Sequence, residues 1–234
     1  MGISHYLAMT AEEIAAAETL PQRLGYMACH FSLYGTGITG LPQTLPKKAM
    51  LILNDRIPFR SHEPRQIAKE LAQAMEALHC DCLLLDFQRQ DTPKDLGKLL
   101  AEALSCPMGI AEGFADGTQC AVFLPPVPPD RTPEEYLKPW AGRDIWLEAE
   151  PETIRVTVDS QGSRRQCIPK EDDAFPFTDE ALCCRYRTEV FPDRAEFTLR
   201  RTDEDLRRLL NQAQEMGVTA AVSLFQQMKK LPVQ

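Results

Sequence analysis

The chain has 234 residues, about one and a half average domains, so it contains either one large domain or two small ones. Hydrophobic residues make up 44% of the sequence and charged residues 26%, which excludes collagen-like, coiled-coil and largely disordered proteins. The 26 Lys and Arg against 34 Asp and Glu leave a net charge of −8. Because nucleic-acid binding rests on a basic surface, we expect no nucleic-acid partner.

The N-terminal residues carry no apolar run, and the acidic Glu12 and Glu13 follow early, so this segment does not resemble an export signal. No stretch of the sequence approaches the ~18 uninterrupted apolar residues that a membrane span requires. We therefore expect a cytoplasmic protein that makes no membrane contact.

The eight cysteines lie mostly within apolar runs, where a free thiol behaves as a small buried hydrophobe. The sequence contains no C-x-x-C pair and no histidine at a ligand-like spacing. We expect reduced thiols, no bound metal and no cofactor. Cys80 with Cys82, and Cys183 with Cys184, leave a metal-binding or reactive site open as the alternative.

In chain order, short apolar runs alternate with stretches of helical periodicity. Seven runs are typical of buried strands: residues 27–35, 49–55, 81–88, 107–113, 119–125, 144–149 and 218–225. Between them, apolar side chains recur about every 3.6 residues in 64–79, 93–105 and 203–216, which predicts three amphipathic helices.

Residues that begin and end helices stand at the expected positions. Thr10, Thr92 and Thr132 are each followed three residues later by an acidic residue, which is the pattern of a capping box. Gly217 is typical of the position just beyond a helix end. The repeated order of strand, cap, helix and strand predicts parallel strands connected by crossover helices.

Two late segments, on either side of Gly162 and of Pro192, alternate with period two and predict antiparallel hairpins. They interrupt a chain that otherwise alternates strands and helices. We therefore expect a hairpin insertion at about residues 152–201 within a single domain that spans residues 1–234.

Apolar strands covered on both sides form either an open doubly wound sheet or a closed barrel. The segment GTGITG, residues 35–40, matches the spacing of a dinucleotide-binding turn, with Asp55 where a ribose-binding acid would lie. Pro42 and Pro46 leave no room for the helix that this motif must open, so we interpret it as a loop, with phosphate binding as the weaker alternative. We expect an α/β protein with a (β/α)8 TIM-type barrel, compact or incomplete because the chain is shorter than the ~250 residues of a typical barrel.

Residues 81–88, DCLLLDFQ, form the most informative predicted strand. Alternate residues from Leu83 to Phe87 make one wholly apolar face, which we expect to pack beneath helices. The opposite face ends in Asp86 and Gln88, so these side chains should point into the C-terminal mouth of the barrel, where enzymes of this fold build their sites.

This strand resembles the signature strand of glycoside hydrolase family 18, the chitinases and related spore-cortex and peptidoglycan-associated hydrolases. The family pattern is D-G-x-D-x-D-x-E. Asp81 and Asp86 match its first and last Asp, whereas Leu84 replaces the middle Asp and Gln88 takes the position of the catalytic Glu. The resemblance implies a barrel with an insertion before its last strand, and it covers most of residues 24–226.

The resemblance also implies that the family's chemistry is lost. In the family, the Glu protonates the leaving oxygen while the substrate's own acetamido group attacks. The carboxamide of Gln88 resembles Glu in shape but cannot act as an acid. A later Tyr of the family is missing near residues 119–125, and residues 223–225 contain no Trp where the family has one. We therefore expect a non-catalytic barrel that binds a glycan-like small molecule.

We expect Asp86, Gln88, Asn54, His30 and Tyr34 to line the ligand site. The alternative for each is a structural role, because polar side chains inside barrels find partners among their neighbours. The sequence identifies no protein partner.

The catalytic residues of any remaining reaction are unknown, and the candidates are Asp86, Glu112 and Glu148, each at a predicted strand end. One alternative function is a barrel hydrolase of different chemistry that uses Asp86 with Glu112 or Glu148, about 5–10 Å apart. The other is a protein-interaction scaffold, which predicts an exposed apolar patch. A solvated loop carboxylate is an equally good interpretation of Glu112 and of Glu148.

Overall fold

The computed structural model describes residues 2–33, 36–57, 63–169 and 174–228. The chain divides into two compact units, which are described one at a time. The barrel unit comprises Ser4–Leu124, Arg143–Glu148 and Thr219–Gln234, and the sheet unit comprises Met1–Ile3, Pro125–Gly142 and Ala149–Val218. No helix within the described ranges is both long enough and apolar enough to cross a bilayer.

The described residues form fourteen strands, in chain order β1 (Ser4–Met9), β2 (Leu24–Phe31), β3 (Ile38–Thr39), β4 (Met50–Asn54), β5 (Cys82–Asp86), β6 (Met108–Ala111), β7 (Ala121–Leu124), β8 (Ile145–Glu148), β9 (Thr153–Asp159), β10 (Gly162–Cys167), β11 (Phe177–Asp179), β12 (Cys184–Val190), β13 (Arg194–Arg200) and β14 (Val218–Leu224). The α-helices are α1 (Ala11–Ala16), α2 (Pro64–Leu78), α3 (Leu96–Ala103), α4 (Pro133–Leu137) and α5 (Asp203–Glu215). Short 3-10 helices cover Glu112–Phe114 and Lys138–Trp140.

Eight of these strands close into a parallel barrel in the order β1, β2, β4, β5, β6, β7, β8 and β14, with β14 returning to β1. The predicted α/β TIM-type barrel is therefore confirmed, and it is compact rather than incomplete. The strand β1 is not among the predicted strands, because the polar Ser4 and His5 at its start conceal the buried residues from Tyr6 to Met9.

The barrel is compact because two of its described connections between strands have no α-helix, whereas all eight strands are present. After β6 the described chain forms only the 3-10 helix Glu112–Phe114 before β7 begins. After β2 it forms β3, which pairs antiparallel with β2. The Tyr26 hydroxyl donates to the Gly40 carbonyl at 2.6 Å, and the Glu70 carboxylate accepts from the Ile38 N–H at 2.8 Å. The described part of the GTGITG segment therefore forms the short strand β3 and the turn residues beside it, held by these hydrogen bonds, and it does not begin a helix.

Alternate residues of the strands fill the barrel interior. Cys82 and Leu84 on β5 belong to this core, as the alternation predicts, while Phe87 is buried on the opposite face. Gly109 on β6 makes room for the Trp146 indole, because a Cβ at Gly109 would overlap that ring. Since apolar side chains fill the interior, only the last residues of each strand are left to shape a mouth.

Two of the three predicted helix caps are present. Thr10 and Thr132 form complete capping boxes at α1 and α4. Thr92 does not cap a helix, which corrects the prediction of a helix from residue 93: α3 begins only at Leu96. The physical reason is a competing partner, since the Thr92 hydroxyl donates to the buried carboxylate of Asp55 at 2.7 Å.

In the sheet unit, five antiparallel strands form one sheet in the order β10, β9, β13, β12 and β11. The predicted hairpins are β9 with β10, around Gly162, and β12 with β13, around Pro192. Pairing of β9 with β13 joins the two hairpins side by side. The antiparallel insertion therefore precedes the last helix and the last strand of the chain, as expected.

Arg201 is the central polar side chain of the sheet unit, and only 2% of it is exposed. Its guanidinium donates hydrogen bonds to the carbonyl oxygens of Val127, Pro128, Leu182 and Cys183. One side chain thus ties the segment after β7 to the turn before β12. Removing its donors would leave several buried carbonyl groups without partners.

We expect Arg201→Lys to lower the free energy of unfolding by about 3–5 kcal/mol, because one ammonium group cannot reach carbonyls that a planar guanidinium spans. Arg207→Lys is the matched control, because Arg207 is exposed on α5 and its substitution should change stability by less than about 0.5 kcal/mol. Urea denaturation followed by circular dichroism measures both. Equal midpoints for the two variants would refute the structural role of Arg201.

Candidate functional site

Three neighbouring barrel strands bring polar residues to the same level at the C-terminal mouth. The register pairs His30 of β2 with Asn54 of β4, and Asn54 with Asp86 of β5. Ile52 and Leu84, two residues earlier on β4 and β5, belong to the interior core. Because side chains alternate along a strand, His30, Asn54 and Asp86 share the inward face. We call these three residues the mouth arc.

Asp86 is half-buried, and its Oδ1 accepts a hydrogen bond from Gln88 Nε2 at 3.0 Å. Burial raises the pKa of the Asp86 carboxyl above its ordinary value, and the hydrogen bond from Gln88 opposes part of that rise. The nearby charge of Asp55 raises this pKa further, whereas Arg56 lowers it. Gln88 is exposed beyond the end of β5, so its carboxamide lies at the rim of the mouth.

Asp55 anchors the loop that carries Gln88. Its buried carboxylate accepts from the backbone N–H of Gln88 at 3.0 and 3.1 Å, from that of Arg89 at 3.0 Å, and from the Thr92 hydroxyl at 2.7 Å. Asp55 follows Asn54 directly, so it serves the loop behind the mouth arc. Sequence reasoning misses this role, because Gln88 lies 33 residues away along the chain.

The Asn54 side chain is committed to the backbone. Its Nδ2 donates to the carbonyl oxygens of Met27 and Cys29, each at 2.9 Å, where the register of β2 shifts. Its Oδ1 accepts from the Arg56 N–H at 3.2 Å. Asn54 therefore holds β2 and β4 in register through contacts of both its amide nitrogen and its amide oxygen with the backbone.

His30 has one nitrogen close to the backbone, with Nδ1 lying 2.9 Å from the Ala28 carbonyl oxygen. Because a carbonyl oxygen only accepts, Nδ1 carries a proton, which leaves Nε2 as the ring nitrogen available to a ligand. Gly40, at φ +79°, lies against this ring, and a Cβ there would overlap the Ala28 carbonyl. The turn after β3 thus fixes the imidazole at the edge of the mouth arc.

Glu148 and Glu112, the other candidate residues that the structure describes, are not part of the mouth arc. Glu148 ends β8 two residues after the core residue Trp146, so it shares the inward face and is half-buried. Two strands, β6 and β7, separate it from the strand of Asp86. Glu112 is exposed and begins a 3-10 helix, where strand alternation no longer directs its side chain inward. Tyr34 lies outside the described residues.

Two residues of the mouth arc, Asp86 and His30, and the adjacent Gln88 offer mainly hydrogen-bond acceptors at the mouth. Asp86 supplies a carboxyl group, Gln88 a carboxamide and His30 a ring nitrogen, so a ligand rich in hydroxyl or amide donors would find partners here. Among the residues that the structure describes, no group of three His, Cys, Asp or Glu side chains is placed to hold a metal ion.

Several solved structures share this fold. The spore cortex-lytic enzyme SleL of Bacillus cereus matches with a TM-score of 0.53 and 9% identity, over 95% of this chain and 70% of that one. A chitinase from Chromobacterium violaceum matches at 0.52 and 7% identity, over 95% and 93% of the two chains. The chitinase-like agglutinin RobpsCRA from Robinia pseudoacacia matches at 0.55 and 10% identity, over 93% of each.

No protein-family model matches the sequence, and no curated protein sequence matches it either. The likeness to solved structures is therefore one of fold, at identities too low to carry an activity. The barrel that the resemblance to glycoside hydrolase family 18 implies is confirmed. The correspondence of Asp81, Leu84, Asp86 and Gln88 to the family's motif stays a prediction.

We expect Asp55→Ala to lower the free energy of unfolding by about 2–4 kcal/mol, because two backbone N–H groups and one hydroxyl lose their acceptor. The amides of Gln88 and Arg89 should also exchange with solvent faster, while the Leu84 amide keeps its protection. Hydrogen exchange followed by NMR measures both effects. Asp81→Ala is the control, because Asp81 is exposed and lies immediately before β5, and equal exchange in the two variants would contradict the anchoring role.

The raised pKa of Asp86 predicts a pH-dependent stability. The folded state holds the Asp86 proton more tightly than the unfolded state, so this carboxyl destabilises the protein as pH rises from about 4 through its raised pKa. Asp86→Asn should therefore gain stability relative to the native chain as pH rises towards neutrality. Urea denaturation at several pH values tests this, with Asp81→Asn as the control. A difference between Asp86→Asn and the native chain that stays constant with pH would contradict the burial of the carboxyl.

Proposed function

We propose that the barrel mouth binds a glycan-like ligand and does not carry out the acid-catalysed hydrolysis of glycoside hydrolase family 18. The observation that carries this proposal is the contact between Gln88 and Asp86 at the end of β5. The position that resembles the family's catalytic Glu holds a carboxamide, which has no ionisable proton to give to a leaving oxygen.

The hydrogen-bonding groups of the mouth suit a carbohydrate. Sugar hydroxyls both donate and accept, so they can pair with the Asp86 carboxyl, with the Gln88 carboxamide and with Nε2 of His30. Asn54 and Asp55 hold these groups in place through backbone contacts, which reduces the ordering that binding requires. The names of the similar structures, two chitinase-related proteins and a cortex-lytic enzyme, support a glycan as the ligand.

A specific observation also favours an enzyme of different chemistry. Burial raises the pKa of Asp86, and a carboxyl that keeps its proton at higher pH is a better general acid. In this second candidate function, Asp86 acts with Glu148 or Glu112. Glu148 is the stronger partner, because its strand position directs it inward whereas Glu112 is exposed.

The scaffold alternative is supported by a different surface, in the sheet unit. Val158, Phe177 and Val190 lie on one face of the sheet and are 41%, 48% and 83% exposed. Exposed apolar side chains on one face are typical of a protein-binding surface. This third candidate requires no ligand at the barrel mouth.

The test measures binding and turnover together. Calorimetry with chitooligosaccharides and with peptidoglycan fragments should give saturable binding to the native chain, and chromatography of the same mixtures should show no product. Asp86→Ala should weaken binding about tenfold or more, because it removes a charged hydrogen-bond acceptor. Asp81→Ala, the same change immediately before β5 and away from the mouth, should leave the affinity unchanged.

The outcomes separate the candidates. Turnover that Gln88→Ala abolishes would overturn the non-catalytic proposal. Turnover that survives Gln88→Ala and is lost in both Asp86→Asn and Glu148→Gln would establish the second candidate function. No binding by the native chain would overturn the glycan proposal and leave the exposed face of the sheet unit as the functional surface.

A further inference from the structure

At the barrel mouth, the protein itself uses most of the hydrogen-bond donors that the side chains carry. Asn54 Nδ2 donates to two backbone carbonyl oxygens of β2, each at 2.9 Å, and Nδ1 of His30 lies 2.9 Å from a third. Gln88 Nε2 donates to Asp86 Oδ1 at 3.0 Å. These contacts decide which atoms of the mouth are offered to a ligand.

The atoms offered to a ligand are mainly acceptors. The contact from Gln88 uses one of the two oxygens of the Asp86 carboxylate, and Gln88 itself still offers its carbonyl oxygen Oε1. In its neutral form, His30 offers Nε2 as a further acceptor. A carboxylate is an acceptor only, and its strongest hydrogen bonds are those from charged donors.

The charges near Asp86 do not neutralise its carboxylate. Among the residues that the structure describes, Asp55 and Arg56 are the two whose charges shift the pKa of Asp86, and the rise caused by Asp55 exceeds the fall caused by Arg56. Arg56 is exposed, where solvent screens its charge. Arg89, on the loop after β5, is already paired with Asp91 through two hydrogen bonds of 2.8 Å.

A cation on the ligand would supply the positive charge that Asp86 lacks. Burial raises the pKa of this carboxyl, so its ionised form is held in the folded protein at a cost that a nearby cation would offset. An ammonium group has three donors and no acceptor, which complements the acceptors of Asp86 and Gln88. Glu148 also shares the inward face and is half-buried, so it adds negative charge on the side of β8.

We propose that the barrel mouth prefers an amino sugar with a free ammonium group over the same sugar with an N-acetyl group. The inference rests on the function proposed above, because the ligand is still a glycan, and it names the class of glycan. The sugar hydroxyls pair with the neutral groups of the mouth, and the ammonium pairs with the Asp86 carboxylate. Acetylation removes the charge and leaves a single N–H donor, so it removes the group that Asp86 recognises.

The experiment compares two sugars that differ only in acetylation. Calorimetry measures how the trimer of glucosamine and its fully N-acetylated form bind to the full chain, at a pH just below neutrality where the sugar amine is protonated. We expect the glucosamine trimer to bind about tenfold or more tightly, because a charge-assisted hydrogen bond is stronger than one from a neutral amide. This comparison requires no variant of the protein.

A pair of variants tests whether Asp86 causes the preference. Asp86→Asn should bring the two affinities within about threefold of each other, because the carboxamide keeps the shape of the side chain and loses its charge. The variant should still fold, since it removes a charge that burial disfavours. Asp81→Asn is the matched control and should keep the full preference, because Asp81 is exposed and lies immediately before β5, away from the mouth.

The outcomes separate this inference from the function on which it rests. Equal affinities of the two sugars for the native chain would overturn the inference and leave glycan binding intact. A preference that Asp86→Asn retains would overturn it as well. Tri-lysine that binds as tightly as the glucosamine trimer would overturn the assignment to a sugar, because charge alone would account for binding. Binding of neither sugar at concentrations up to about 10 mM would overturn the proposed function itself.

Discussion

Closure of the eight-stranded barrel is the constraint on which the candidate site depends. β1 pairs with β2 on one side and with β14 on the other, so the first strand of the chain joins its last to complete the ring. Closure assigns every alternate residue to the interior, where apolar side chains from Tyr6 to Val222 fill the space. Inward-facing polar side chains are then left to the ends of the strands, which is why His30, Asn54 and Asp86 lie together as the mouth arc.

Most polar groups near the mouth are used to build it. Asn54 bonds to the backbone of β2, Asp55 holds the loop that carries Gln88, and Nδ1 of His30 contacts the Ala28 carbonyl oxygen. A buried polar group without a partner is costly, so these contacts are a condition of the fold. What remains for a ligand is a small set: the Asp86 carboxyl, the Gln88 carboxamide and one ring nitrogen. We propose that this set binds a ligand, since the Gln88 carboxamide has no ionisable proton for the acid step of glycoside hydrolase family 18.

The sheet unit carries its polar groups differently. Period-two alternation places Arg155, Arg164 and Arg194 on one face of the sheet and apolar residues on the other, and neighbouring strands repeat the pattern in register. Arg201 is the exception, because it is buried and its guanidinium donates hydrogen bonds to backbone carbonyl oxygens. The same residue type therefore has two roles in this unit: the buried Arg201 holds two loops together, and the surface arginines form ion pairs with neighbouring carboxylates.

The sequence alone determined the features that depend on short-range periodicity. Alternation predicted the inward face of β5 and both hairpins, and the Thr10 and Thr132 capping boxes are local patterns that the structure reproduces. Tertiary structure decided everything that depends on distant partners. The Thr92 hydroxyl bonds to the carboxylate of Asp55, 37 residues earlier in the chain, and therefore does not cap a helix. The segment of β1 forms a strand because closure of the barrel supplies a neighbouring strand on each side of it. Local sequence patterns do not predict these contacts, because a side chain bonds to whichever group the closed fold brings within about 3 Å.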